Sequence, residues 1–374
     1  MGRTPNRLPN YFKMQDITDL SLPAEHIIDT DGTTIWAYDC DTGECISYGT
    51  DAATVIQAAI DARTVAQGNS IFIKPGTYVI TKTIVLHGNM KIRGAGIDVT
   101  ILTADGQSQN WDILEFTPAV AEYFIAISDM TIKGDGADGT SGHNIHTDND
   151  DGGSPCDLQI DQVFIKDAVD NGLDLLDTWG FRITNCLVER SGDYGIYLFG
   201  GTQNYLSNCY IALNKGAAGV YIGSGSSIVS NCNISSNEHI GLTIANSASF
   251  CGISNCVVYS NGTAAAANGI HILVNSNCCT LTGNIITSNT DYGLHIDGDN
   301  CQAAGNFVLL NTNGQYKYDG YSSTVNDYSF ESSNAETPTM AFHPGIIVEF
   351  VDTGDGTGTG FYIRDIAGNW HKLA

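Results

Sequence analysis

Basic residues are scarce in this 374-residue chain: 16 Lys and Arg stand against 41 Asp and Glu, a formal net charge of −25. Nucleic acid or an anionic membrane surface would select a basic face, so the balance argues against both partners. It also weighs against a polyanionic substrate unless calcium or a local basic cluster intervenes, and otherwise suits a soluble, salt-tolerant surface. No apolar run approaches the roughly 18 to 20 residues of a membrane span, so no membrane insertion is expected. The opening Met1-Gly2-Arg3-Thr4-Pro5-Asn6-Arg7 lacks the apolar core of a signal peptide. The expectation is that a signal has been removed, or that the protein leaves its cell by assembly into a particle and lysis, which favours a virus. Charged residues make up only 15% of the chain while 42 residues are glycine, a composition that fits an extracellular or virion-borne repeat protein.

What the chain does have is a repeat. Val163, Cys186, Cys209, Cys232, Cys256, Asn284 and Asn306 mark a register spaced 23, 23, 23, 24, 28 and 22 residues apart, the length of one solenoid coil. Each coil opens on an apolar-polar-Asn-Cys step, as in Ile183 to Cys186 and Val229 to Cys232, and turns a polar corner at Asn214, Asn237, Asn261, Asn289 and Asn311. A second strand follows, Gly-aliphatic-variable-aliphatic, as in Gly172 to Leu175 and Gly293 to Ile296. Alternation within such short strands sends one side chain inward and the next outward. The pattern predicts an all-β fold, a parallel β-helix of about nine to ten coils.

The segment Tyr48-Gly49-Thr50-Asp51-Ala52-Ala53-Thr54-Val55-Ile56-Gln57-Ala58-Ala59-Ile60-Asp61, then Ile71-Phe72-Ile73-Lys74-Pro75-Gly76-Thr77-Tyr78 and Ile92-Arg93-Gly94-Ala95-Gly96, resembles the opening of pectate-lyase-like right-handed β-helix proteins. The resemblance covers roughly residues 45 to 315. It implies a right-handed solenoid from a superfamily of polysaccharide lyases, uronate epimerases, glycoside hydrolases and phage tailspikes, and fold alone does not choose among them. The clustered Asp-Asp and Gly-His-Gly signatures of polygalacturonase-like hydrolases and the Asp-Pro-His of alginate epimerases are missing. Arg182 and Arg190 are the central arginines, and neither stands on the outward row where a pectate-lyase-type base would be sought.

Eleven cysteines look numerous until they are placed on the coils. Cys186, Cys209, Cys232 and Cys256 share one position, and Cys251, Cys279 and Cys301 another, so a stack of small buried side chains is expected. Cys40 and Cys45 bracket a turn and are compatible with a disulfide in an oxidising compartment. Three regions are expected: an irregular lead or attachment segment at 1–47, the β-helix at 48–316, and a cap or trimerisation hairpin at 317–374 built on Ile346 to Val351 and Phe361 to Ile366. An amphipathic helix over 51–66, with Val55, Ile56, Ala59 and Ile60 on one face, would plug the open end of the solenoid.

Aligning the coils gives an outward row of His146, Asp174, Tyr197, Tyr221, Thr243, His271 and His295. Neighbouring coils lie about 4.8 Å apart, so His146, Asp174 and Tyr197 should be adjacent and could supply a base, a charge stabiliser and an acid. Tyr221, Thr243, His271 and His295 would extend a surface for sugar rings, although strand propensity alone also favours Tyr and Thr there. Asp170, Asp174, Asp177 and Asp193 form a second, acidic candidate, because glycoside hydrolysis needs paired carboxyls; solvated corner acids are the plainer reading. The long insertion at 134–157 carries His143 and offers Asp148, Asp150 and Asp151 as oxygen ligands for calcium, the one cofactor the sequence suggests. Alternation would put His143 and His146 on opposite faces. The leading expectation is a tailspike-like protein that binds and cleaves an extracellular polysaccharide, attached to a virion through its N-terminal segment and trimeric through its C-terminal hairpin. A secreted polysaccharide lyase or hydrolase comes second, and a non-catalytic adhesin or fibre third.

Overall fold

The computed structural model describes residues 24–63, 68–106, 109–116, 124–136, 139–147, 157–177, 179–320, 323–330, 347–350, 360–364 and 370–373. The chain divides into two compact units, Met1–Tyr210 and Ile211–Ala374.

In the first unit the lead is more regular than its sequence suggested. Strands His26–Thr30, Ile35–Asp39 and Cys45–Gly49 pair antiparallel, joined by turns in which Asp31 Oδ1 accepts from the backbone N–H groups of Thr33 and Thr34 and Asp39 Oδ1 from those of Asp41 and Thr42. Aspartate closing its own turn is a short-range signal that outweighs the local lack of periodicity. His26–Thr30 then pairs parallel with Asn69–Ile73 and so joins the first coil. The helix runs Ala52–Asp61, shorter than expected, and buries Ala52, Ala53, Val55, Ile56, Ala59 and Ile60. It caps as anticipated: Gln57 accepts from the Val85 N–H and donates to the Val85 carbonyl, satisfying the edge of strand Ile84–Leu86. Parallel strands Ile84–Leu86, Leu114–Phe116, Ile145–Thr147, Leu173–Leu176 and Ile196–Thr202 follow in register, coil upon coil.

The corner between paired strands of a coil explains the Asn-Cys step. Asn185 and Asn208 in the first unit, and Asn231 and Asn255 in the second, have φ of 55°, 56°, 54° and 54°. This left-handed conformation is one that Asn tolerates and most residues avoid. The Cys that follows points inward: Cys186, Cys209, Cys232 and Cys256 are all at most 3% exposed. Among the described residues no disulfide forms, and Cys40 and Cys45 remain separate thiols.

The second unit repeats the coil with strands Ala218–Gly225, Ile240–Ile244, Ile270–Ile272, Tyr292–Ile296 and Gly314–Tyr318 in parallel register. Its polar corners are not solvated. Asn214, Asn237, Asn261 and Asn289 are fully buried, and each gives its side-chain amide N–H and its backbone N–H to the Oδ1 of the Asn one coil on, ending at Asn311. From Asn237 onward each Nδ2 also donates to a carbonyl of the coil before, so the ladder satisfies the buried amides it needs. Near the C-terminus Ile347–Phe350, Gly360–Arg364 and Trp370–Leu373 form a three-stranded antiparallel sheet rather than a two-stranded hairpin.

Candidate functional site

The richest cluster of chemistry lies in the first unit, where the outward row begins one coil earlier than the sequence alignment placed it. Glu115, His146, Asp174 and Tyr197 face one another across successive parallel strands. Just before each strand the chain turns a corner, and two more rows stand there: Asp112, His143, Asn171 and Tyr194, and beside them Trp111, Gly142, Asp170 and Asp193. Ladder bonds from Ile113 N–H to the His143 carbonyl, Asn144 N–H to Asn171, and Gly172 N–H to Tyr194 fix that register.

Asp174 is the hub. It is only 7% exposed; its Oδ1 accepts from Asn171 Nδ2 at 3.1 Å. Its Oδ2 lies 3.2 Å from His143 Nε2 and 3.6 Å from His146 Nε2. His143 Nδ1 accepts the Asn171 backbone N–H at 3.1 Å, so a neutral His143 carries its proton on Nε2, the nitrogen near Asp174. The two imidazoles, expected on opposite faces, have ring centroids 5.0 Å apart. The reason is local: His143 precedes strand Ile145–Thr147, so strand alternation does not govern where it points.

His146 gives its Nδ1–H to Asp112 Oδ2 at 2.8 Å, and Asp112 Oδ1 accepts the His143 backbone N–H at 2.6 Å. Burial works against the imidazolium, but the Asp112 hydrogen bond and the charges of Asp112, Asp174 and Glu115 outweigh it and raise the His146 pKa. Burial likewise works against charge on Asp112, and the same bonds overcome it and hold its pKa low. Asp112 and His146 therefore each favour the charged form of the other.

Asp170 and Asp193 stand on adjacent coils, as the spacing implied: the Asp193 N–H donates to the Asp170 carbonyl at 3.1 Å. The Asp170 carboxylate accepts the Gly142 N–H at 2.9 Å. Gly142 makes this possible, since its φ of 126° suits glycine and a Cβ there would run into the Trp111 carbonyl. Burial first, and the Asp170 charge next, push the Asp193 carboxyl above the ordinary carboxylate range, with Asp174 adding to them and His143 opposing. Tyr194 and Tyr197 have centroids 5.1 Å apart, and Tyr197 stacks on Phe199 at 5.9 Å with 12° between planes. Phe199 is 48% exposed, an aromatic edge open to a ligand beside the carboxylates. Such a site offers a carboxyl with a raised pKa, neighbouring carboxyl groups and an apolar platform, the parts used in acid–base cleavage of a glycosidic bond.

Asp177 is not brought into this group. It is exposed, lies past the far end of strand Leu173–Leu176 and covers Gly200. Asp148, Asp150 and Asp151 lie outside the described residues. Sequence reasoning missed Asp112, Tyr194 and Phe199; extending the alignment back to Ile113-Leu114-Glu115-Phe116, which matches the strand grammar, would have found Asp112.

In the second unit Tyr221, Thr243, His271 and His295 align in the expected row, which Lys317 continues, yet they do not make an open sugar surface. Thr243 is 5% and His295 7% exposed. His271 and His295 stack on each other with centroids 4.2 Å apart and 8° between planes, which occupies the facing sides of both rings. Burial and the neighbouring His295 lower the His271 pKa against the pull of Asp297, and burial raises that of Tyr221.

A family model described as a right handed beta helix region matches residues 127–313, half of the chain. No curated protein matches. Among solved structures, the Dettilon tailspike protein is 14% identical with a TM-score of 0.61, over 75% of this chain and 59% of that one. This chain therefore spans under two thirds of that tailspike. ORF18 of Geobacillus virus E2 is 15% identical with a TM-score of 0.60, over 96% of this chain and 88% of that one. The alginate lyase from Paenibacillus sp. str. FPU-7 is 17% identical with a TM-score of 0.53, over 73% and 97%. At these identities the likeness is one of fold.

Proposed function

The chain belongs to the right-handed β-helix family, and from that footing we propose that it is a polysaccharide-binding protein that hydrolyses glycosidic bonds at the Asp174 cluster. The observation that carries this reading is the raised pKa of Asp193, pushed up by burial and by Asp170, beside Asp174, which accepts a hydrogen bond from Asn171 and lies near two imidazoles. A carboxyl whose surroundings raise its pKa is suited to the acid's part. Asp193 protonates the departing glycosidic oxygen. Asp174, held by Asn171, either takes a proton from the water that attacks the anomeric carbon or attacks that carbon itself, with water then hydrolysing the glycosyl-enzyme. The Asp112-paired imidazolium of His146 steadies the Asp174 charge, and Tyr194, Tyr197 and Phe199 receive the apolar faces of sugar rings.

An acid-rich site in a chain of net charge −25 repels a polyuronate, so the reading favours neutral polysaccharides over acidic ones. A raised His146 pKa disfavours the neutral imidazole that proton abstraction needs, which favours hydrolysis over β-elimination. The proposal extends to presentation on a virus particle as a trimeric tailspike-like depolymerase acting outside the cell; the fold likeness to a phage tailspike supports it. The test is incubation with a panel of neutral and acidic polysaccharides, with and without calcium, following new reducing ends. Neutral polymers should be cleaved by the wild type and not by Asp174→Asn; cleavage by both forms would overturn the assignment.

A further inference from the structure

The stacked histidines of the second unit point to a different role from sugar binding. We propose that His271, His295 and Asp297 form a binding site for a divalent transition-metal ion, with zinc as the reference ion, tying neighbouring coils together.

Parallel pairing of Ile270–Ile272 with Tyr292–Ile296 sets His271 opposite His295. Asp297 follows directly on the second strand, and its two oxygens meet the two imidazoles: Oδ2 lies 3.0 Å from His271 Nε2 and Oδ1 2.9 Å from His295 Nε2. The donor atoms of all three residues lie within 4.8 Å of one another. A tetrahedral zinc site with bonds of about 2.0–2.1 Å separates its donors by about 3.4 Å, close to what is found. Asp319 Oδ2, 3.5 Å from His295 Nε2, is placed to be a fourth ligand, and Lys317 pairs with that carboxylate at 3.2 Å. Two imidazoles and carboxylates are a donor set for zinc and its neighbours rather than for calcium.

The second, independent observation is His295 Nε2. His295 is 7% exposed, and this buried nitrogen has no hydrogen-bond partner: the Asp297 carboxylate is near but off the direction of an Nε2–H. A cation that takes the place of the Nε2 proton would give this nitrogen the partner it lacks. The other ring nitrogen sets a cost. Asn268 Oδ1 accepts the Tyr292 N–H, so its Nδ2 faces His295 Nδ1 at 3.2 Å. Metal on Nε2 moves the imidazole proton to Nδ1, where an acceptor is needed. Asn268 must turn over to provide one, which weakens the site. An Asp at 268 would accept from both Tyr292 and His295.

The test uses the full chain freed of metal by a chelator and titrated calorimetrically with zinc, with cobalt as a spectroscopic probe of tetrahedral ligation. The wild type should bind about one equivalent with a rise in melting temperature. His271→Gln and Asp297→Asn should weaken binding at least tenfold, Asn268→Asp should tighten it by about tenfold, and His146→Gln should leave it unchanged. Absence of binding by the wild type, or binding equally strong in His271→Gln and Asp297→Asn, would overturn the proposal. Tightening in Asn268→Asp keeps it falsifiable even where a histidine variant fails to fold.

Discussion

His146 and Asp112, which lie on neighbouring coils, are joined by a 2.8 Å hydrogen bond from Nδ1 to Oδ2. That bond favours the imidazolium form of His146 and leaves its other nitrogen facing Asp174. The pH behaviour of the first unit follows from it.

The His146 pKa is raised in the folded protein, so its contribution to stability is complete below the unfolded value of about 6.5 and is lost as pH rises through the folded value. The Asp112 pKa is lowered, so its contribution is present above about 3.9 and is lost as pH falls through the folded value. The stability advantage of wild type over Asp112→Asn should therefore peak in weakly acidic solution and shrink on either side. Urea denaturation at stepped pH measures it; an advantage that grows steadily into alkali contradicts the pair.

Asp193 acts in its protonated form, so kcat should fall as pH rises through its elevated pKa. Asp170→Asn removes the largest neighbouring charge that raises that pKa and should move the alkaline limb to lower pH. Asp193→Asn should reduce kcat by about 10²–10⁴-fold. A limb unmoved in Asp170→Asn would take the acid role away from Asp193.

Phe199 contributes surface, not charge. Phe199→Ala should raise KM roughly fivefold, corresponding to about 1 kcal/mol of lost ring contact, with kcat and melting temperature little changed. An unchanged KM would mean that sugars bind elsewhere on the row.

The Asn ladder makes a stability prediction independent of function. Asn261→Ala strands the Asn237 N–H groups and the Ile234 carbonyl, while the Asn289 oxygen keeps only the backbone N–H of residue 261. At about 1–3 kcal/mol for each buried orphan, partly relieved by water, the loss should be on the order of 4 kcal/mol. Ile228→Ser on the exposed face should stay within about 0.5 kcal/mol. Equal effects from the two variants, read by chemical denaturation, would remove the ladder from the account.

Much of the fold was legible because a solenoid repeats its instructions. The coil register, the inward Cys positions and the helix face of Val55, Ile56, Ala59 and Ile60 follow from periodicity, and so does the row that places His146 beside Asp174 and Asp174 beside Tyr197. The site was only partly legible because its remaining members sit at corners. Asp112 and His143 lie outside strands, where backbone turns rather than alternation aim the side chain, and they reach Asp174 and His146 from there. Burial was misjudged on the second-unit row, where Thr243 and His295 are shielded by their neighbours. At the polar corner Asn261, paired hydrogen bonds let the side chain sit at 0% exposure.

The most direct test of the central claim is digestion of a susceptible polysaccharide in heavy-oxygen water, with products read by mass spectrometry. Hydrolysis by the Asp174 cluster predicts one heavy oxygen at each new reducing end and none at the other new end, no unsaturated sugar, and no such product from Asp174→Asn. Unsaturated products without the heavy oxygen would mean elimination, and either that result or the absence of any product across a broad panel would contradict the account.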